Sequence, residues 1–426
     1  MRRVLLIATT TGYQTRAFDE AAQRLGVDLT FATDRCAVLD DPWRDRAIPV
    51  RFHAPAAAVS RLSSIHRRAP FHGVVAVGDR PAALAARVSA ALGLPGHPPE
   101  GAAAARSKRR TRERLRAAGL LTPAFRAVPL GVDGDALAAS LPFPVVIKPV
   151  SLSGSRGVMR ADDAGALRAA LDRLRALLAR PDIRAERDPA HAQILIESFI
   201  PGHEYALEGV MTNGRLQTLA IFDKPDPLDG PFFEETIYVT LPDPDGPLAQ
   251  QISGAVASAA AAIGLRHGPV HAECRVNDAG VFVLEVAARP IGGICARSLR
   301  FVAEDHAGLI ALEELLLRHA LGEEVSRWRR EAAASGVMMI PIPKRGFYRT
   351  VAGVEEARAV AGVEDVVITA KADQLLVPLP EGASYLGFIF ARAATAAEVE
   401  QALRRAHARL AFTIAPEVPM LQSTHG

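Results

Sequence analysis

His271-Ala-Glu273 and Leu284-Glu285-Val-Ala-Ala-Arg289-Pro-Ile-Gly-Gly293, separated by a turn around Asn277 to Gly280, decide how the rest of this 426-residue chain is read. Side chains in a strand alternate between faces with period two. Two antiparallel strands here therefore put His271 and Glu273 on one face of the first, and Glu285, Ala287 and Arg289 on one face of the second. Two carboxylates and a guanidinium then converge on one patch. Carboxylates so placed repel unless a cation lies between them, and hard oxygen ligands suit Mg²⁺ or Mn²⁺ of the kind that also holds substrate phosphates. Taken alone, the pair leaves open a hairpin with a charged outer face.

Upstream, Phe143-Pro-Val-Val-Ile-Lys148-Pro-Val reads as a short buried strand with a lysine near its end, followed at once by Ser151-Leu-Ser-Gly-Ser-Arg-Gly157-Val. Small residues let successive backbone N–H groups approach an anion, and a nearby ammonium adds a point charge. The loop is a phosphate cover by this reading and a plain turn by the alternative. It has neither Walker spacing nor a Gly-x-Gly-x-x-Gly pattern.

Two further segments stand in series with these: Arg106-Ser-Lys108-Arg-Arg-Thr-Arg-Glu-Arg-Leu115, with Lys108 opening a helix, and Ile194-Leu-Ile-Glu197-Ser-Phe-Ile-Pro-Gly-His-Glu204-Tyr-Ala-Leu-Glu208 ahead of the acidic strand pair. In this order the parts resemble the ATP-grasp superfamily, closely over residues 100 to 300 and in outline over most of the chain. The resemblance implies that Lys108 and Lys148 hold the α- and β-phosphates of ATP. It makes Ser153, Gly154, Ser155 and Gly157 a lid over the β- and γ-phosphates. Glu197 and the backbone of Phe199 and Ile200 become the hinge at the adenine edge, with Glu204 at the ribose hydroxyls, and Glu273 and Glu285 become the metal pair. The family usually has an asparagine two residues past the second glutamate; here that residue is Ala287, which puts two fully occupied metal sites in doubt.

Glu-x-Ala-Ala-Arg after His-x-Glu resembles the L-amino-acid ligase branch. That resemblance implies an ATP-dependent carboxylate–amine ligase that works through an acyl phosphate and takes amino acids as its small-molecule substrates. Arg289 would face the acyl phosphate and the tetrahedral intermediate, and His271 would accept a proton or position substrate. The segment Phe222-Asp-Lys-Pro-Asp-Pro-Leu-Asp-Gly-Pro-Phe-Phe-Glu-Glu-Thr236 matches that branch's substrate loop, with Lys224 reaching the γ-phosphate; an ordinary solvated loop is the other reading. Biotin carboxylase-like and glycinamide ribonucleotide synthetase-like enzymes, a kinase, and a non-catalytic ATP-binding module are the rivals. No carrier domain with a lysine between methionines is present, and the retained Glu273, Glu285 and Arg289 argue against a degenerate module.

Composition bounds the rest. With 49% hydrophobic residues the chain can bury large cores, and 50 basic against 47 acidic residues imply no general attraction to nucleic acid. The basic run after Lys108 is expected to face solvent. The three cysteines, Cys36, Cys274 and Cys295, have no metal-ligand spacing and fit a reducing cytoplasm; Cys274 should point into the core. The apolar run at the amino terminus reads as a buried strand rather than a signal peptide, and no span reaches membrane length.

Strands near 3–8, 28–32 and 73–77 alternate with helices near 16–26 and 81–92, which predicts a parallel sheet. Gly78-Asp79 then lies at a strand's carboxyl end, where open sheets gather ligands, although a plain turn explains it equally. The expected organisation is a multidomain α/β and α+β protein with an ATP-grasp fold. An amino-terminal α/β domain spans 1–100. An ATP-grasp domain spans 101–330, with a lid subdomain at about 120–200 and a large subdomain at about 200–330; a proline and glycine linker at 94–101 leads into it and 328–336 marks its far end. A carboxy-terminal α+β lobe spans 331–426. A homodimer is left open.

Overall fold

A computed structural model describes residues 1–9, 14–34 and 47–417; Cys36 falls outside them. The strand and helix alternation expected at the amino terminus is present. Ile48–Pro49, Asp28–Thr33, Arg3–Ala8 and Gly73–Val77 form a parallel sheet in that spatial order. Arg3–Ala8 is central and buried on both faces, as a nearly unbroken apolar run requires. Val4 and Leu6 pack with Phe18, Ala21 and Ala22 of helix Thr15–Leu25. Leu5 and Ile7 pack on the other side with Leu62, Ala82, Ala85 and Val88 from helices Pro55–Arg68 and Asp79–Leu92.

The lid subdomain is a four-stranded antiparallel sheet in the order Phe125–Pro129, Gln193–Ser198, Val145–Pro149, Met159–Ala161. Helix Ala164–Leu178 backs it. Leu167, Leu171, Leu174 and Leu178 recur at helical spacing on its buried stripe, and Asp163 caps its start by accepting from the Ala166 N–H.

An eight-stranded antiparallel sheet forms the centre. Its order is Gly280–Ala287, Gly268–Asn277, His203–Thr212, Arg215–Asp223, Ile237–Thr240, Ala334–Ile340, Gly387–Ala393, Val363–Ile368. Helix Pro247–Ile263 covers one face through Ile252, Val256, Ala259 and Ile263. The sheet runs without a break through the boundary expected at 330, so the carboxy-terminal strands extend the large subdomain. Around that boundary Trp328 is buried, Arg329–Arg330 pairs with Arg300–Val302, and the strand beginning at Ala334 pairs with Gly387–Ala393. Among the described residues no helix is long and apolar enough to cross a membrane.

His97 ties the amino-terminal domain to the strand that carries His271 and Glu273. Its Nδ1 accepts from the Arg266 N–H at 3.2 Å and its Nε2 donates to the Pro269 carbonyl at 3.0 Å, an arrangement that needs the neutral ring. Burial pushes its pKa down to about 4, against the Pro269 carbonyl, and His267 adds to the drop. In the unfolded chain the ring titrates near ~6.5, so the stabilisation is complete above that pH and is lost as pH falls toward the folded value, on the order of 3 kcal/mol in all. His97→Asn should therefore cost more stability at pH 7.5 than at pH 4.5 in urea denaturation; a penalty equal at both would remove the neutral-ring assignment.

Candidate active site

Strand register builds the floor. His271 lies opposite Ala287 on one side and Glu208 on the other, Glu273 opposite Glu285 and Ala206, and Arg275 opposite Glu204. With period two, Glu204, Glu208, His271, Glu273, Arg275 and Glu285 share one face. The reverse face sends Leu207, Ala272, Cys274 and Val286 into the core. Cys274 is buried there as expected, and burial pushes its thiol up to about 12. Above the polar face lies a cavity of about 380 Å³.

Two lysines reach it from one side. Lys108 opens helix Lys108–Ala117, whose Ser107 cap accepts from the Arg110 N–H. Its ammonium donates to the Leu152 carbonyl at 2.7 Å and lies 3.1 Å from Glu285. Lys148, in strand Val145–Pro149, lies 2.5 Å from Glu197. Glu197 also receives Arg112 Nε at 2.7 Å and Nη2 at 3.3 Å, and Arg112 donates further to the Leu284 carbonyl at 2.7 Å. Burial works to raise the Glu197 carboxyl, but Arg112 and Lys148 hold it below its ordinary value; burial and Arg112 push Lys148 down, against Glu197. Between the lysines, the Ser151–Gly157 loop turns through Gly154 at φ +65°, Ser155 at +54° and Gly157 at +75°. A Cβ on Gly157 would come within 2.9 Å of Leu177, so only glycine fits.

A second group of charges fills the centre. The carboxylates of Glu204, Glu235 and Glu273 offer oxygens within 4.8 Å of one another. Lys224 lies among them, 2.9 Å from Glu204, 3.8 Å from Glu273 and hydrogen-bonded to Glu235. Tyr238 donates to Glu235 at 2.7 Å, and Arg275 donates to Glu204 at 3.0 Å. Burial and the charge of Glu273 push Glu235 up to about 7, against Lys224. Burial also raises Glu273, against Lys224, with Glu285 and Glu204 adding to the rise. Glu285 is instead held below its usual value: burial and Asp79 oppose this, but Lys108 and Arg289 outweigh them.

At the far rim, Arg289 Nε donates to Asp79 Oδ1 at 2.7 Å and Nη1 to the Pro290 carbonyl at 3.1 Å. Asp79 starts helix Asp79–Leu92 directly after strand Gly73–Val77, and its pairing with Arg289, helped by Lys108 and the Ser153 hydroxyl, keeps its carboxyl low against burial. His271 Nδ1 meets Glu208 at 3.2 Å and its Nε2 lies 3.7 Å from Glu273. Glu208 accepts from the Ile291 N–H at 3.0 Å as well, fixing the turn that follows Arg289; burial pushes its carboxyl up.

Residues 141–298 match the ATP-grasp domain family, 19–96 its N-terminal domain, and 338–415 the L-amino acid ligase C-terminal domain 2. The structure is similar to that of an L-amino acid ligase from Bacillus licheniformis, with a TM-score of 0.80 at 27% identity over 97% of this chain and 99% of that one. The chain belongs to the ATP-grasp superfamily. Within it, architecture and carboxy-terminal lobe are those of the L-amino-acid-ligase-like branch. Two curated relatives match in part: carnosine synthase 1 of Gallus gallus, 33% identical over 50% of this chain, and dapdiamide A synthase of Enterobacter agglomerans, 26% identical over 37%. The matches span 24% and 35% of those relatives' lengths.

At four places this ATP-grasp site shows partners that the sequence reading did not give. Of the basic helix, Arg112 does not face solvent; it is fully buried because Glu197 needs a fixed counter-charge. Lys224, read as reaching a phosphate with a solvated loop as the alternative, is 3% exposed just past the end of strand Arg215–Asp223. The Glu197 side chain, expected at the adenine edge, is engaged by Arg112 and Lys148. Glu204, expected at the ribose, is engaged by Lys224 and Arg275 in the acidic group. Phe199 and Ile200 do link the two sheets, with the Ile200 carbonyl receiving Arg275 at 2.8 Å. Sequence reasoning missed Arg112, Glu208, Glu235 and Arg275, and set Asp79 aside. Some signals were there: Arg112 is one helical turn beyond Lys108, and Glu208 and Arg275 keep the period of Glu204 and Glu273. Asp79 was marked by its place at a strand's carboxyl end, a signal that a plain turn explained equally, and nothing local marked Glu235.

Removing Arg112 leaves the buried Glu197 carboxylate with Lys148 as its remaining counter-charge and uncovers the Leu284 carbonyl. Arg112→Met should destabilise the fold by about 3–5 kcal/mol in urea denaturation, whereas Arg110→Met, which breaks an exposed pair with Glu100, should leave the urea midpoint close to that of the wild type. Equal losses would show that the buried ion group does not matter.

Proposed function

We propose that this chain is an ATP-dependent ligase that joins a carboxylate to an amine, an amino acid being one of the two, through an acyl phosphate. The observation that carries this reading is the convergence over one cavity of two lysines, a glycine-turned loop, two opposed glutamates and a tethered arginine. Its relatives, an L-amino acid ligase, a carnosine synthase and a dapdiamide A synthase, support it.

Glu273 and Glu285 fit a divalent cation: they are cross-strand neighbours with hard oxygen donors, and burial with mutual repulsion raises Glu273 in a way that a cation relieves. They would hold Mg²⁺ or Mn²⁺, which supplies positive charge at the ATP phosphates. Lys108 and Lys148 add fixed charge along the same phosphates, and Glu197 with Arg112 keeps Lys148 aimed. The substrate carboxylate oxygen attacks the γ-phosphorus and ADP leaves; the amine nitrogen then attacks the acyl carbon, the carbon–oxygen bond to phosphate breaks and the amine proton is lost. Arg289, oriented by Asp79, faces the developing oxyanion. His271, oriented by Glu208, is placed to hold substrate or take that proton. The Ser151–Gly157 loop covers an intermediate that water would destroy.

The wall supplied by the carboxy-terminal strands is apolar: Met339, Tyr385 and Phe388 line the cavity with Tyr238, Cys295 and Ile291. An apolar amino acid side chain suits that wall.

Purified protein with Mg-ATP and pooled amino acids and small carboxylic acids should release ADP and phosphate only when two components are present, with a product one water lighter than their sum by mass spectrometry. ADP release needing one component alone would point to a kinase instead. Glu285→Gln should keep ATP binding while losing roughly 10²-fold or more in ligation, and a full rate would remove the metal assignment. Arg289→Ala should lose about 10²–10³ in turnover with ATP binding intact; an unchanged rate would rule out its oxyanion role.

A further inference from the structure

Between strands Leu375–Leu376 and Gly387–Ala393 the chain makes a short segment, 377–386, that touches two places at once. On one side Ala383, Ser384 and Tyr385 line the cavity. On the other, the segment grips the lid. The Pro380 carbonyl accepts from the Gly157 N–H at 2.8 Å, and the Glu381 carbonyl accepts from Arg156 Nε at 3.1 Å. The Glu381 carboxylate takes a two-pronged contact from Arg173, Nε at 2.7 Å and Nη2 at 2.9 Å. Arg156 and Gly157 end the phosphate-type loop, and Arg173 is on the helix that backs the lid sheet. Arg173 also stacks over Phe232, 4.8 Å from its ring centre, in the loop that follows Lys224.

We propose that Glu381 is a positioning residue that clasps the lid loop over the active site and couples its closure to occupancy of the cavity wall at Ala383–Tyr385. The physical grounds are geometric. The fork between Arg173 and Glu381 fixes orientation as well as distance, yet both side chains keep solvent contact, 42% and 28%, so the pair is reversible rather than locked. Glu381 is two residues from the cavity lining, so a substrate pressed against Ala383 and Ser384 restrains the backbone whose carbonyls hold Arg156 and Gly157. An empty wall leaves the clasp free to open for nucleotide exchange. For what lies beneath the loop, this inference rests on the nucleotide reading above.

The test separates the two. Without nucleotide, amide hydrogen exchange across residues 153–158 should rise about tenfold in Glu381→Ala and in Arg173→Met, with the double variant no worse than either single one. Glu381→Gln, which keeps an acceptor, should fall between Glu381→Ala and the wild type, and the urea midpoint should not move. Exchange equal to wild type, or additive effects in the double variant, overturns the clasp. With Mg-ATP and substrates, Glu381→Ala should raise the KM for ATP about tenfold and release ADP unmatched by amide product, since water reaches the intermediate. A tightly coupled Glu381→Ala enzyme also overturns it. A wild type that shows the exchange behaviour but never binds ATP would sink the nucleotide reading and leave the clasp standing.

Discussion

Negative charge crowded on one face of a sheet is the constraint on which the rest of this molecule depends. Register puts Glu273 directly across from Glu285, and Glu204 and Glu208 on the next strand of the same face. Buried carboxylates at such spacing are tolerated only with cations among them. The protein supplies these from every direction: Lys108 from a helix, Lys224 from the adjoining strand, Arg275 from the same strand as Glu273, and Arg289 from the turn beyond. Each cation comes from a different element, so the elements must meet.

That requirement explains the domain contacts. Arg289 is held by Asp79 of the amino-terminal domain, so this guanidinium is set by a residue more than two hundred positions away in sequence. Lys148 is held through Glu197 and Arg112, which tie the lid sheet to the central one. His97 fastens the linker after the first domain to the start of the acidic strand. The site is thus the junction of three units, and its electrostatics double as the mortar between them. Rigid elements carry the charges, while the glycine-turned loop covers them.

The cavity has two characters. Its polar floor and lysine rim suit phosphates, and its carboxy-terminal wall suits apolar substance. The wall comes from strands continuous with the floor in one eight-stranded sheet. The charged floor and the apolar wall are therefore separate surfaces on one scaffold.

Much of this was legible in the chain itself. Period-two alternation put Glu273, Glu285 and Cys274 on their correct faces, and the buried run at Arg3–Ala8 announced a parallel sheet, because those are consequences of local backbone geometry. Helical spacing from Lys108 to Arg112 carried information that the polar character of the basic run concealed. What the sequence by itself determined is the set of chemical groups, their order and the faces of the strands they occupy. Tertiary structure alone decided the pairings: Asp79 with Arg289, Glu235 with Lys224, Arg112 with Glu197. It also decided that the carboxy-terminal strands extend the central sheet through residue 330. The reason is that a charge in a sequence is neutral information about burial; only the approach of distant elements shows which water is lost and which counter-charge replaces it.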